Sequence, residues 1–96
     1  MTDATDGCRI DVWLWRARFV KTRGLAARLV EAGAVRLIRQ GQTTRLDKSS
    51  REVRPGDDLT FMVAGRLVSL RVLACGERRG PAEEARALYD VVEPTV

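Results

Sequence analysis

The chain has 96 residues, enough for one compact domain but too few for a binding module and a separate catalytic domain. Its formal charge of +4 is unevenly distributed, because residues 9–54 carry twelve Lys and Arg against four Asp and Glu, and such a region attracts nucleic acid or an anionic membrane surface. The absence of histidine removes the commonest general base, so we expect no catalytic residue. No glycine pattern that would bind phosphate precedes a predicted helix, and we expect no cofactor and no metal.

The N-terminal residues 1–8 are polar and acidic, and we expect a disordered tail there. They lack the basic and apolar segments of a signal peptide, and no apolar run approaches the ~18 residues that span a bilayer. A cytoplasmic protein without membrane attachment is therefore expected. Cys8 and Cys75 are far apart in the sequence, and neither has a second Cys or a His nearby, so we expect reduced thiols and no zinc site.

Two short helices are predicted in the basic half. Apolar residues between Ile10 and Val20 recur at helical spacing, which predicts a first helix with Trp13 on its buried face. Thr22 is placed to cap a second helix, and Gly33 stands where a left-handed residue would end it. Two short helices across a tight turn also fit a helix-turn-helix DNA-binding motif, although the β-rich second half argues against that alternative.

The middle of the chain predicts β-structure. The β-branched run 34–38 predicts one strand, and residues 43–46 predict a further short strand. Apolar and polar residues alternate over 58–63 and again over 67–73, and the turn Ala64-Gly65-Arg66 separates the two runs. This pattern predicts an antiparallel hairpin.

A short C-terminal helix is predicted over residues 82–89, because Pro81 stands at its first turn and acidic residues follow. Together the elements predict an α+β fold. A helix pair packs on a small, mostly antiparallel sheet, with a short C-terminal helix after it.

The basic residues of the helix pair leave two interpretations open. Fifteen of the seventeen basic residues are Arg, whose planar guanidinium suits phosphate, although a GC-rich genome gives the same bias. The charges could bind polyanions or form an ordinary solvated surface. Trp15 and Phe19 lie off the apolar stripe, and they could stack on bases or pack on the sheet.

Four segments together resemble a known family. R-I-D-V-W-L-W-R-A-R-F-V-K-T-R (9–23), A-A-R-L-V-E-A-G-A-V-R-L (26–37) and V-R-P-G-D-D-L-T-F (53–61) resemble the S4-type RNA-binding domain. With R-R-G-P-A-E-E-A-R-A-L-Y (78–89), the first segment resembles one branch, the small ribosome-associated heat-shock proteins. The resemblance implies an RNA-binding domain over residues 9–74, a C-terminal extension over 75–96, and RNA laid against the helices and the following strand.

The resemblance also implies a function without catalysis. Members of this branch bind RNA and, to some extent, DNA, and they associate with large ribosomal subunits that still hold a nascent chain and tRNA after translation has stalled. The expected partner is structured RNA, above all ribosomal RNA of the large subunit, with tRNA and DNA as further candidates. We expect a monomer. A general DNA and RNA binder and a regulatory module that docks an acidic protein are the alternatives.

The family's RNA-facing positions can be carried over onto this chain. Thr22 is placed both to cap the second helix and to offer its hydroxyl to phosphate, whereas Asp11 is expected to orient a neighbouring Arg, since a carboxylate repels phosphate. The predicted RNA-binding residues are Arg9, Lys21, Thr22, Arg23, Arg28, Arg36, Arg39 and Lys48.

One segment departs from the family pattern. Where the family has an Asn-Gly turn after the first strand, this chain has Gln40-Gly41, and we expect a longer loop there. We expect Gly41 to supply the turn, and Arg39 to add a phosphate contact that the Asn does not make.

Overall fold

A computed structural model describes residues 7–92 of the chain and confirms the α+β fold. The elements are β1 (Cys8–Arg9), α1 (Ile10–Arg16), α2 (Arg23–Glu31), β2 (Val35–Arg39), β3 (Gln42–Arg45), β4 (Glu52–Val53), β5 (Asp58–Val63), β6 (Arg66–Val72), α3 (Ala82–Arg86) and β7 (Tyr89–Val91). The helices α1 and α2 pack on one face of a five-stranded antiparallel sheet of order β3-β2-β5-β6-β7, and β1 and β4 form a separate small ladder.

Both predicted helices of the basic half are present. The helical spacing continues to Val20, but α1 ends at Arg16, and Arg18 has a φ of +66°, which an α-helix does not contain. The Thr22 side chain accepts a hydrogen bond from the Leu25 amide at 3.1 Å and so caps α2, as predicted. Gly33 follows α2 with a φ of +78°, which confirms its predicted role in ending the helix.

Two tight turns set the register of the sheet. The β2–β3 loop has two residues, Gln40 and Gly41, whose φ values of +54° and +79° are typical of the hairpin turn that an Asn-Gly pair forms. Gln40 therefore occupies the left-handed position of the missing Asn, and the loop is not lengthened. The β5–β6 turn at Ala64 and Gly65 has the same form, with φ values of +51° and +76°.

The core lies between the helices and the sheet. Trp13 is fully buried, as predicted, and the Phe19 ring lies 5.1 Å from the Phe61 ring and 4.9 Å from the Tyr89 ring. Phe19 thus packs on the sheet, which is one of its two expected placements. The buried apolar residues that join it are Ile10, Leu14, Ala26, Val30, Val35, Leu37, Leu46, Val53, Leu59, Leu70, Val72 and Leu88.

The segment after residue 74 is part of the sheet. The predicted helix over 82–89 ends at Arg86, and Tyr89–Val91 instead form β7, paired antiparallel with β6. The helical prediction for the end of this segment was wrong, because the ladder to β6 and the ring contact of Tyr89 with Phe19 are long-range and leave no local sequence signal.

Arginine side chains fix the same segment to the helix pair. Arg16 donates to the Gly76 carbonyl at 2.8 Å, and Arg18 donates to the Gly80 carbonyl at 2.7 Å. In the opposite direction, Arg79 donates to the Trp15 carbonyl at 3.0 Å and lies over the Trp15 ring. Arg16 and Arg79 therefore stabilise the fold through backbone carbonyls. From composition alone, both would be taken for exposed basic residues that are free to bind an anion.

The expectation of reduced thiols was wrong for this structure. Cys8 and Cys75 form a disulfide, and their Cα atoms lie 6.0 Å apart. Pairing of β1 with β4 and a hydrogen bond from the Trp13 indole to the Ala74 carbonyl bring the two cysteines together. Residues 1–6 of the predicted disordered tail lie outside the described residues, and Cys8 of that tail belongs to β1.

We predict that Cys75→Ser lowers the free energy of unfolding by about 2–4 kcal/mol under oxidising conditions, because the bond closes a loop between residues 67 positions apart. Urea denaturation measures this difference. The matched control is the same comparison in excess reductant, where both proteins should have the same stability. A variant as stable as the oxidised wild type would contradict the pairing.

Candidate nucleic-acid interface

The N-terminus of α2 lies beside exposed cations. Lys21 precedes the Thr22 cap and Arg23 begins the helix, all three are exposed, and the first turn contains no acidic residue. The positive end of the helix dipole normally favours acidic side chains, so a cation at this position is a local cost that a bound anion would offset. This end of α2 is therefore suited to phosphate. The Thr22 hydroxyl accepts the capping hydrogen bond from the Leu25 amide and keeps its own proton to donate.

Lys21 and Arg28 share one surface depression. Helical phase could not establish this from the sequence, because the chain turns between α1 and α2. The depression is shallow, has a volume of about 540 Å³, and has Leu25, Leu29 and Met62 among its lining residues. Two predicted RNA-binding cations are therefore brought together over a partly apolar floor.

Arg36 lines an adjoining depression of about 280 Å³. Its strand neighbours Val35 and Leu37 are buried in the core, so the exposed Arg36 points away from it. Met62 lines both this depression and that of Lys21 and Arg28, and the two therefore adjoin at this side chain.

A third depression lies on the other side of the β5–β6 turn. It contains Arg18 and Arg66 in its lining, and it shares Phe19, Val63 and Ala64 with the depression of Lys21 and Arg28. No Asp or Glu from the described part of the chain lines any of the three. We call the five basic side chains around the turn the hairpin rim: Arg18, Lys21, Arg28, Arg36 and Arg66.

Arg45 lies beside the hairpin rim and was not among the predicted residues. The β2–β3 register places Arg45 directly opposite Arg36, and the Arg45 side chain lies over Gly33. Like charges directly across a ladder destabilise it, so an anion between them would be favourable. The signal was available, because a two-residue turn at Gln40-Gly41 makes positions 36 and 45 cross-strand partners.

Arg9 and Lys48 belong to a second basic group at the start of α1. Arg9 makes two hydrogen bonds to the buried Asp11 carboxylate, at 3.0 and 2.9 Å, so Asp11 orients this Arg as predicted. These hydrogen bonds, with the attraction between the charges, raise the pKa of Arg9. The Ile10 amide donates to the Arg51 carbonyl at 2.8 Å, which holds the loop of the exposed Lys48 beside Arg9.

Arg39 is in a different environment from the other predicted cations. Its guanidinium donates to both carboxylate oxygens of Asp57, at 2.8 and 2.6 Å, and these hydrogen bonds raise the pKa of Arg39. Asp57 is buried and also accepts from the Arg54 amide at 2.8 Å. This ion pair ties β2 to the turn before β5, and it accounts for Arg39 without RNA.

Two further properties concern the described residues 7–92. No cluster of three or more His, Cys, Asp or Glu side chains there is placed to hold a metal ion. No helix within the same range is both long and apolar enough to cross a membrane.

Comparisons with known proteins identify similar chains. The S4 domain family matches residues 8–37. Heat shock protein 15 of Escherichia coli K12 is 39% identical over 92% of this chain and 62% of its own length. A heat shock protein 15 homolog of Aeromonas salmonicida is 34% identical over 98% of this chain and 67% of its own length.

A solved structure shares the fold. The trimeric structure of heat shock protein 15 from Vibrio cholerae has a TM-score of 0.79 and 36% identity, and the match covers 91% of this chain and 83% of that one. The aligned part of this chain spans 63% of the length of the Haemophilus influenzae homolog and 62% of the E. coli protein.

The Arg39–Asp57 pair generates a prediction that separates a structural role from an RNA contact. Arg39→Ala should lower the free energy of unfolding by about 1–2 kcal/mol, because it leaves the buried Asp57 carboxylate without its cation. The expected loss of unfolding free energy is smaller than for a fully buried ion pair, since the Arg39 side chain is 35% exposed.

The control is Arg54→Ala, which breaks an exposed pair with Glu52 and should change stability by less than about 1 kcal/mol. Thermal or urea unfolding provides the comparison. Unchanged stability with weakened RNA binding would instead make Arg39 a phosphate contact.

Proposed function

Since the chain belongs to the heat shock protein 15 family, whose members resemble it over most of its length, we propose that it binds structured RNA through the hairpin rim. Double-stranded RNA is recognised by shape and backbone contacts, because side chains cannot read its deep, narrow major groove. Basic side chains spread around a protruding turn suit such recognition. They can follow phosphates along the backbone without needing a particular sequence.

The observation that carries the proposal is the sign of the charge around the β5–β6 turn. Five cations line three adjoining depressions, and no described Asp or Glu lines any of them. None of the five forms an ion pair with a carboxylate in the described part of the chain. By contrast, Arg54, Arg71 and Arg78 each have an acidic partner. The rim cations are therefore not neutralised by a carboxylate of the described chain, although Arg18 also donates one hydrogen bond to the Gly80 carbonyl.

The partner that the family relationship favours is ribosomal RNA of the large subunit. We propose that the protein acts in the cytoplasm on large subunits that retain a nascent chain and tRNA after stalling. Co-sedimentation of the chain with large subunits in a sucrose gradient tests this part. Protein that stays at the top of the gradient would leave general binding of RNA and DNA.

Each copy of the chain is proposed to bind by itself. All five rim cations come from one protomer, so the surface needs no second subunit to complete it. The trimer described for the Vibrio cholerae protein is a property of that protein, and sedimentation of this chain with and without RNA distinguishes a monomer from a trimer.

The decisive variant is Lys21→Ala with Arg28→Ala. We predict that it weakens binding to structured RNA by at least about tenfold, and that the slope of log affinity against log salt falls by about one for each phosphate that the protein no longer neutralises. Filter binding or fluorescence anisotropy over a range of salt concentrations measures both quantities.

The matched control is Arg54→Ala with Arg71→Ala, which removes the same charge from residues already paired with Glu52 and Asp58. This control should change affinity by less than about threefold. Equal losses in the two double variants would mean that net charge, and not the rim, drives binding. A preference for duplex DNA over structured RNA at matched salt would favour the alternative of a DNA binder.

A further inference from the structure

We propose that the depression between the β5–β6 turn and β7 holds one unpaired nucleobase of the bound RNA, with Arg18 and Arg66 on the phosphates beside it. We call this depression the base cleft, and it is lined by Arg18, Phe19, Val63, Ala64, Arg66, Leu67, Val68, Ser69, Tyr89, Val91 and Val92. The inference rests on the proposed function, because it names which part of an RNA the cleft would take.

The size and lining of the base cleft suit a flat apolar group. Its volume is about 460 Å³, within the range of small-ligand sites. Phe19 and Tyr89 meet at a ring-centroid distance of 4.9 Å, and both remain partly exposed beside the exposed Leu67 and Val91. Aromatic and aliphatic surfaces of this kind bind bases by stacking, which tolerates any base.

The charges of the base cleft suit a phosphate-linked ligand. Arg18 has a left-handed backbone with a φ of +66°, which is uncommon for a residue with a side chain. One of its guanidinium nitrogens is held by the Gly80 carbonyl at 2.7 Å, so this part of the cleft wall is fixed. Arg66 is exposed and has no ion-pair partner in the described part of the chain.

The position of the base cleft favours RNA over an apolar peptide. The cleft shares Phe19, Val63 and Ala64 with the depression of Lys21 and Arg28, so one strand could pass from the rim into it. A peptide of apolar residues would cover two guanidinium groups without supplying an anion, which is costly. RNA supplies both groups, because every base is joined to a phosphate, and unpaired bases are the parts of RNA that proteins splay out and stack.

The experiment changes the RNA and leaves the protein intact. A stem-loop RNA is compared with a set in which one loop base at a time is removed to leave an abasic sugar, so that every phosphate is kept. We expect the full chain to lose about tenfold in affinity at one loop position, as for the loss of one stacked base. A blunt duplex with the same stem should bind more weakly than the intact stem-loop.

Protein variants then place the sensitive base in the cleft. Val91→Asp puts a carboxylate on an exposed part of the lining that neither rim depression of Lys21, Arg28 and Arg36 shares, and it should weaken stem-loop binding while abolishing the difference between intact and abasic loops. Arg66→Ala should weaken stem-loop binding by several-fold. The control is Arg71→Ala, which removes one charge near the other end of β6 and should leave the difference between intact and abasic loops unchanged.

The outcomes separate this inference from the proposed function. If the wild-type chain binds the stem-loop but no loop position is sensitive to loss of its base, the base cleft is overturned and RNA binding stands. The same holds if Val91→Asp weakens binding of the intact and abasic RNAs equally. If the wild-type chain binds neither stem-loop nor duplex, the proposed function and the inference both fail.

Discussion

The buried indole of Trp13 joins the parts of the structure that surround the hairpin rim, the proposed interface. Its ring is fully buried on α1, it lies 6.1 Å from the Phe19 ring and 6.3 Å from the Tyr89 ring, and its N–H donates to the Ala74 carbonyl at 2.9 Å. Burial of a large aromatic side chain with its polar group satisfied is among the strongest local contributions to a small core. The helix pair, the sheet and the C-terminal segment therefore hold fixed positions around the β5–β6 turn.

The proposed interface depends on this arrangement. The sheet presents the tip of the β5–β6 hairpin, α2 and the residue before its cap bring Arg28 and Lys21 to one side of it, and the chain after α1 brings Arg18 to the other. Acidic residues are present on the same sheet, but Asp57 and Asp58 are paired with Arg39 and Arg71 near the opposite end of β5. The paired and the unpaired cations therefore lie near different ends of the sheet. The electrostatic field around the β5–β6 turn is strongly positive, although the net charge of the protein is modest.

Features that depend on neighbouring residues could be predicted from the sequence. The Thr22 cap, the left-handed Gly33 and the alternation over 58–63 each have a local physical cause, so these elements were found. Features that depend on contacts between distant segments could not be predicted from the sequence. The β7 ladder, the Cys8–Cys75 pair and the approach of Arg18 to Arg66 join segments far apart in the chain, and no local pattern encodes them. The positions carried over from the family include Lys21, Arg28 and Arg36 of the proposed hairpin rim but not Arg18 or Arg66, and their contact with RNA stays a prediction.

Backbone NMR of the full chain during titration with a stem-loop RNA identifies the surface that contacts the RNA. RNA binding through the hairpin rim predicts the largest shifts of amide resonances in residues 18–28 and 62–67, which carry most of the hairpin rim and its shared floor. Amide shifts should be small near Asp58 and Arg71, because Arg71 is already paired with Asp58. Amide shifts confined to the loop 47–51 and the turn 54–57, with the resonances of the hairpin rim unchanged under saturating RNA, would contradict binding through the rim.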